Sequence, residues 1–191
     1  IEIGGSYEDQ QDMFADLIML LAMIIILVYI VMASQFESFM SPFVIMFSIP
    51  FAFVGVLLGL WITGTPLGTM GMIGILILMG IVVKNGIVLI DYTILMRERG
   101  KSVAEASVIA AKSRLRPILM TTLTTVLGMI PMAIGQGEGS EMWRSLGMVV
   151  AWGLSISTLV TLVIIPTVYA SMASWQERRA AKKAAKKLAK A

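Results

Sequence analysis

Apolar positions in this chain run in long blocks, not in the alternation of a half-buried strand or the single stripe of a surface helix. Residues 13–33 are almost uninterrupted apolar sequence. At about 1.5 Å per helical residue they suffice to cross a hydrocarbon core of roughly 30 Å. The block stops at Ser34-Gln35-Phe36-Glu37-Ser38. A second span is predicted over 43–62, with Pro50 inside it and Gly55 and Gly59 four apart, a spacing that lets a neighbouring helix come close. Thr63-Gly64-Thr65-Pro66 reads as a tight turn. The third span, 67–96, opens on a run rich in small residues from Gly68 to Gly74. Gly71, Gly74 and Gly80 are read with Gly55 and Gly59 as helix-packing positions.

Arg97-Glu98-Arg99-Gly100-Lys101 is a charged loop, and Ser102 and Glu105 then have the spacing of a capping box. They open a short amphipathic helix over 103–113, too short and too polar to span, and expected to lie along the surface. Pro117 suits the first turn of a fourth span, 118–134. Residues 135–141 form a flexible acidic loop, and the fifth span covers 142–172. The ends are polar: 1–12 is acidic and free of lysine and arginine, whereas 173–191 is basic and helix-prone. The expected fold is therefore all-α: a polytopic membrane bundle of five transmembrane helices plus one short cytoplasmic amphipathic helix.

Composition agrees with this class. Hydrophobic residues make up 58% of the chain, charged residues 14%, and mean hydropathy is +0.88. Soluble domains average about 45–50% apolar and 25% charged. The absence of cysteine and histidine removes disulfides, thiolate chemistry, imidazole metal sites and histidine pH switching. It also removes any serine–histidine pair, and no second mid-membrane aspartate is found for a paired-aspartate hydrolase.

The loops set an orientation. The basic stretches at 97–116 and 178–190 are separated by two spans, so they share a side, which the positive-inside rule makes cytoplasmic. The N-terminal segment, the 63–66 turn and the 135–141 loop then fall outside. An external start without the basic region of an export signal leads to the expectation that the chain is the C-terminal part of something longer.

The position with the most chemistry is in the third span. Lys84 and Asn85 stand among Ile, Val, Leu, Met and Gly. Insertion scales set the cost of a lysine at the centre of a membrane helix at roughly 2.5–3.5 kcal/mol, so such a residue usually faces a bundle interior or a water-filled path and has a partner. Asp91 lies two turns further along, about 10 Å away on the axis. That distance makes a carboxylate outside this chain the expected counter-ion. Asp91 itself is nearer the boundary of the span. Thr121, Thr122, Thr124 and Thr125, read on their own, would bond the carbonyls three or four residues back.

Several motifs together resemble one family. Lys84-Asn-Gly-Ile-Val-Leu-Ile-Asp91, Arg114-Leu-Arg-Pro-Ile-Leu-Met-Thr121, Ser34-Gln-Phe-Glu-Ser-Phe39 and Gly137-Glu-Gly-Ser-Glu141 are similar to the C-terminal membrane half of bacterial RND efflux permeases. The likeness is nearest to the hydrophobe/amphiphile branch that includes AcrB and MexB. It covers nearly the whole chain, in order. The resemblance implies that these are helices eight to twelve of a twelve-helix fold, in a proton-driven homotrimer of the bacterial inner membrane. It implies no cofactor beyond the proton gradient. The implied partners are the N-terminal half of the permease, membrane lipid, a periplasmic adaptor and an outer-membrane channel, with no nucleic acid. Lys84 would pair with two aspartates on the fourth helix of the other half and swing away when they take up protons. Arg114 and Thr121 match the other relay residues, Asn85 would hold local hydrogen bonds, and Asp91 is grouped with them. The aspartate pair and the periplasmic domains are not in this sequence.

Other readings compete. A relative that moves lipids or secreted proteins shares the fold, and a non-transporting scaffold subunit would lack proton flux. The 16 methionines raise copper export, since thioethers suit Cu(I), but their scatter through every span favours adaptable packing. The basic tail suits either anionic lipid or solvent. Gly135-Gln-Gly-Glu-Gly139 follows no strand and lacks the lysine of a phosphate-binding loop.

Overall fold

The computed structural model of the protein describes residues 3–135, 137 and 139–188, with side chains described for 11–175 within that range and for Arg179. Ile1, Glu2, Gln136, Glu138 and 189–191 lie outside the described residues, as do parts of the acidic lead-in, the 135–141 loop and the basic tail expected from sequence. All elements among the described residues are helical: α1 (Ile3–Phe36), α2 (Met40–Met46), α3 (Ser48–Thr63), α4 (Thr69–Glu98), α5 (Val103–Ile134) and α6 (Ser140–Leu188). Five stretches are long and apolar enough to cross a membrane: Gln11–Phe36, Met40–Thr63, Thr69–Glu98, Val103–Ile134 and Ser140–Trp175.

Three boundaries differ from the expectation. The second span is two helical segments joined at Phe47. Pro50 has no N–H to give to the Met46 carbonyl, so the ladder is interrupted there and Pro50 sits in the first turn of α3. The separate surface helix over 103–113 does not exist as an element, because those residues are the first turns of α5, which runs on through Pro117. Proline costs a helix one backbone bond, but a neighbouring hydroxyl or helix can make up that loss in an apolar setting. The last span likewise continues past 172, as α6 extends to Leu188.

The predicted capping box forms. Ser102 Oγ accepts from the Glu105 amide at 3.3 Å, and the Glu105 carboxylate accepts from the Ser102 amide at 3.3 Å. After α3, Gly64 takes φ +63°, a left-handed geometry that suits glycine at a helix C-terminus.

Small residues fix how the helices meet. A side chain on Gly59 would collide with Trp152, and one on Gly71 with Ser145. Gly55 lies against Trp152, Gly153 and Ile156, with Gly74 against Val149. Three further glycines do the same work unnoticed in the sequence: Gly153 receives Leu78, Gly86 meets Ile45 and Ile165, and Gly147 abuts the Ala133 backbone. Gly80 differs from the expectation. Among the described residues nothing lies within 4 Å of where its Cβ would be.

These contacts give the register. Positions 71, 74, 78 and 86 of α4 meet 145, 149, 153 and 165 of α6, so the two helices run parallel. Gly147 against Ala133 and Thr158 against Thr122 make α5 antiparallel to α6. Helix α6 packs on α3, α4 and α5 and is the centre of the bundle, while α1 touches only α2 and α4. Val44, Ile45, Leu89, Ile90, Val149, Val150 and Leu154 are wholly buried around it.

Candidate functional site

Between α4 and α5 lies a groove of about 260 Å³ lined by Ile81, Lys84, Asn85 and Val88 from one helix and by Pro117, Ile118, Thr121, Thr122 and Thr125 from the other. Lys84, Asn85 and Val88 recur at helical spacing, and so do Ile118, Thr121, Thr122 and Thr125, which puts each set on one face. One ammonium, one carboxamide and three hydroxyls therefore converge between apolar walls.

The two neighbours on α4 have different surroundings. Asn85 is buried, whereas Lys84 is exposed on the open side of the groove. Among the described residues no carboxylate lines the groove, and Lys84 makes no hydrogen bond or ion pair there. An ammonium in an apolar wall is costly unless it meets a counter-charge or a water-filled path.

The threonines divide. Thr121 donates to Ile118 O at 3.0 Å and Pro117 O at 3.2 Å, Thr124 to Met120 O at 2.8 Å, and Thr125 to Thr121 O at 2.9 Å. These follow the backbone pattern read from sequence. Thr122 does not: its hydroxyl pairs with that of Thr158 on α6, at 3.2 Å. Nothing in the sequence links two threonines 36 positions apart.

Of the five residues singled out, the groove unites Lys84, Asn85 and Thr121. Arg114 is outside it, half-buried near the start of α5, with its guanidinium carbon 4.7 Å from the centroid of the Tyr92 ring. Its Nε is buried without a hydrogen-bond partner among the described residues. Asp91 is exposed on α4 and does not line the groove. In the last turn of α4, Arg97 Nη1 donates to the Tyr169 hydroxyl at 3.2 Å, tying α4 to α6. No cluster of three or more His, Cys, Asp or Glu suited to a metal is found among the described residues.

Comparison with known proteins places this geometry in a family. The AcrB/AcrD/AcrF family matches residues 1–173. The chain is 42% identical over 180 residues to the swarming motility protein SwrC of Bacillus subtilis (strain 168), covering 94% of this chain and 17% of SwrC. It is 39% identical over 181 residues to the multidrug resistance protein MdtC of Proteus mirabilis (strain HI4320), covering 92% of this chain and 18% of MdtC. Against the cobalt-zinc-cadmium resistance protein CzcA of Cupriavidus metallidurans (strain ATCC 43123 / DSM 2839 / NBRC 102507 / CH34) the identity is 36%, over 87% of this chain and 16% of CzcA. A crystal structure of a heavy metal efflux pump, crystal form II, superposes with a TM-score of 0.79 at 33% identity, over 88% of this chain and 16% of that one. The chain thus spans between 16% and 18% of the length of these relatives. Their names cover drugs, metals and motility, so they do not single out the hydrophobe/amphiphile branch. On the match over residues 1–173 and the shared arrangement of five spans, this multi-pass membrane chain belongs to the AcrB/AcrD/AcrF family of RND permeases.

Proposed function

We propose that this chain is the lysine-bearing membrane part of a proton-driven RND export pump, with Lys84 as its electrostatic sensor. The observation that carries this reading is the groove itself: Lys84 and Asn85 of α4 face Thr121 of α5 across a space with no acid of its own among the described residues. The counter-ion is then a carboxylate pair from a complementary N-terminal half. A carboxylate beside an ammonium holds its proton less tightly, while burial makes it hold the proton more tightly. A small displacement of Lys84 therefore switches a proton on or off that acid. Protonation does work only if it biases a rearrangement between two packings, and the tight glycine contacts of α6 with α3 and α4 define the packing to be shifted.

In this reading the protein sits in the bacterial inner membrane, with its N-terminal side periplasmic and the basic 97–101 turn cytoplasmic. It works in a homotrimer with a periplasmic adaptor and an outer-membrane channel. Arg114 and Asp91, away from the groove in this structure, serve at the cytoplasmic end of the path.

The test is dye efflux from cells co-expressing this chain with a complementary half under an imposed pH gradient. Lys84→Met is expected to abolish efflux without lowering the amount of chain in the membrane. Unchanged efflux in Lys84→Met would end the reading. A second reading concerns cargo. The 36% identity to CzcA and the fit to a heavy metal efflux pump favour metal cations as readily as MdtC favours drugs. Metal tolerance and dye efflux measured in the same cells separate the two.

A further inference from the structure

Thr122 differs from its neighbours on α5. Thr121, Thr124 and Thr125 each spend their proton on a carbonyl of their own helix. Thr122, buried in the groove wall beside Lys84 and Asn85, has instead a hydroxyl of another helix. Its oxygen is 3.2 Å from that of Thr158, whose side chain is also buried.

A hydroxyl has one proton to give and two lone pairs to receive. A bonded pair of hydroxyls uses one proton and leaves the other for a second acceptor. When Thr158 donates, the Thr122 proton is free for an acceptor in the groove. When Thr122 donates, it offers the groove lone pairs only. Either oxygen can be the donor in this geometry, so the two directions present opposite polarity to the groove. The first suits an anion there and the second suits an ammonium.

The reversed direction needs another acceptor for the Thr158 proton, and the carbonyl one turn back on α6 is within ordinary reach of a helical threonine. Thr161, three residues on, is 1% exposed and its hydroxyl has no partner among the described residues, so it does not take that proton in this arrangement.

We propose that Thr158 is a positioning residue for the groove: its hydroxyl sets the polarity that Thr122 presents, and so links the charge state beside Lys84 to α6. This rests on the proton-coupled reading of Lys84. Helix α6 is suited to pass the signal on because it packs against α3, α4 and α5 together.

The chain contains no cysteine, so Thr125→Cys provides a single reporter in the groove. Maleimide labelling of that cysteine in membranes is compared across pH for the parent, Thr158→Val and Thr158→Ser. Valine keeps the shape and removes the hydroxyl, and serine keeps the hydroxyl. Thr158→Val is expected to change the labelling rate by about fivefold, the net worth of one hydrogen bond, with Thr158→Ser at the parental rate. Equal rates in all three, or equal shifts in Val and Ser, would overturn the proposal. If Thr158→Val fails to insert, the thermal midpoints of Thr122→Val, Thr158→Ala and their combination decide: additive shifts count against a shared bond and non-additive shifts support it. Efflux by Lys84→Met is measured alongside. Intact efflux there removes both readings. Efflux lost in Lys84→Met, with unchanged labelling in Thr158→Val, removes this inference alone.

Discussion

The Arg114 guanidinium stacks on the Tyr92 ring, 4.7 Å from its centroid, and so joins the first turns of α5 to the last turns of α4. The contact keeps a half-buried cation against an aromatic face instead of in the groove that holds Lys84.

Cation–π contacts contribute about 0.5–2 kcal/mol, more when water is excluded. Tyr92→Phe keeps the ring face and is expected to leave the thermal midpoint of the purified chain near the parental value. Tyr92→Leu is expected to lower it by that order. Equal midpoints for Phe and Leu would show that the ring contributes bulk only. Arg114→Lys should behave like Tyr92→Leu, because an ammonium lacks the planar guanidinium that stacks on a ring.

The glycines give a graded series. Gly59→Ala puts a methyl into the Trp152 side chain, close to its backbone, and Gly153→Ala meets Leu78 and Val56. Overpacking of this kind costs about 1–3 kcal/mol. The larger loss is expected at Gly59, where the Cβ of Trp152 cannot move aside, and the smaller at Gly153, where Leu78 can turn. Gly80→Ala has nothing within 4 Å and should stabilise the chain by up to about 1 kcal/mol through helix propensity. A loss of stability at Gly80 in the chain alone would contradict the open space seen there. A loss that arises only with the complementary half would place a second helix against it.

Ser145 clamps the turn between α3 and α4. Its hydroxyl donates to Pro66 O at 3.1 Å and receives the Gly68 amide at 3.4 Å, over the Gly71 contact. Ser145→Ala should cost about 1 kcal/mol, the net worth of a hydrogen bond, and speed amide exchange at Gly68. Exchange unchanged at Gly68 would mean that the turn holds itself, through the 3.0 Å bond from the Gly68 amide to Pro66 O.

The capping box at the start of α5 is exposed, so its removal should act locally. Ser102→Ala is expected to cost about 0.5–2 kcal/mol and to fray the first turn by exchange or proteolysis, with the Thr122–Thr158 contact intact. Glu105→Gln keeps a side-chain acceptor at the third helical position and should cost less. A larger loss for Glu105→Gln than for Ser102→Ala would point to charge, not the cap, as the stabilising element.

The sequence alone determined the features that depend on local chemistry and on contact with lipid. Five apolar blocks made five spans because backbone groups in hydrocarbon must bond within their own helix. Ser102 with Glu105 made the cap, the turn at Gly64 ended α3, and Lys84 stood out because a charge within a membrane span is costly. Where a helix stops was less legible. Pro117 reads as a start in sequence, yet α5 passes through it, since continuous packing against α6 outweighs one lost backbone bond. Tertiary structure alone decided the pairings: Thr122 with Thr158, Arg114 on Tyr92, Gly153 beneath Leu78 and Gly80 beneath nothing among the described residues. Helix faces that are apolar all round carry no stripe to show which side turns inward. Only the close fit of small against large side chains across three helices fixed which face met which.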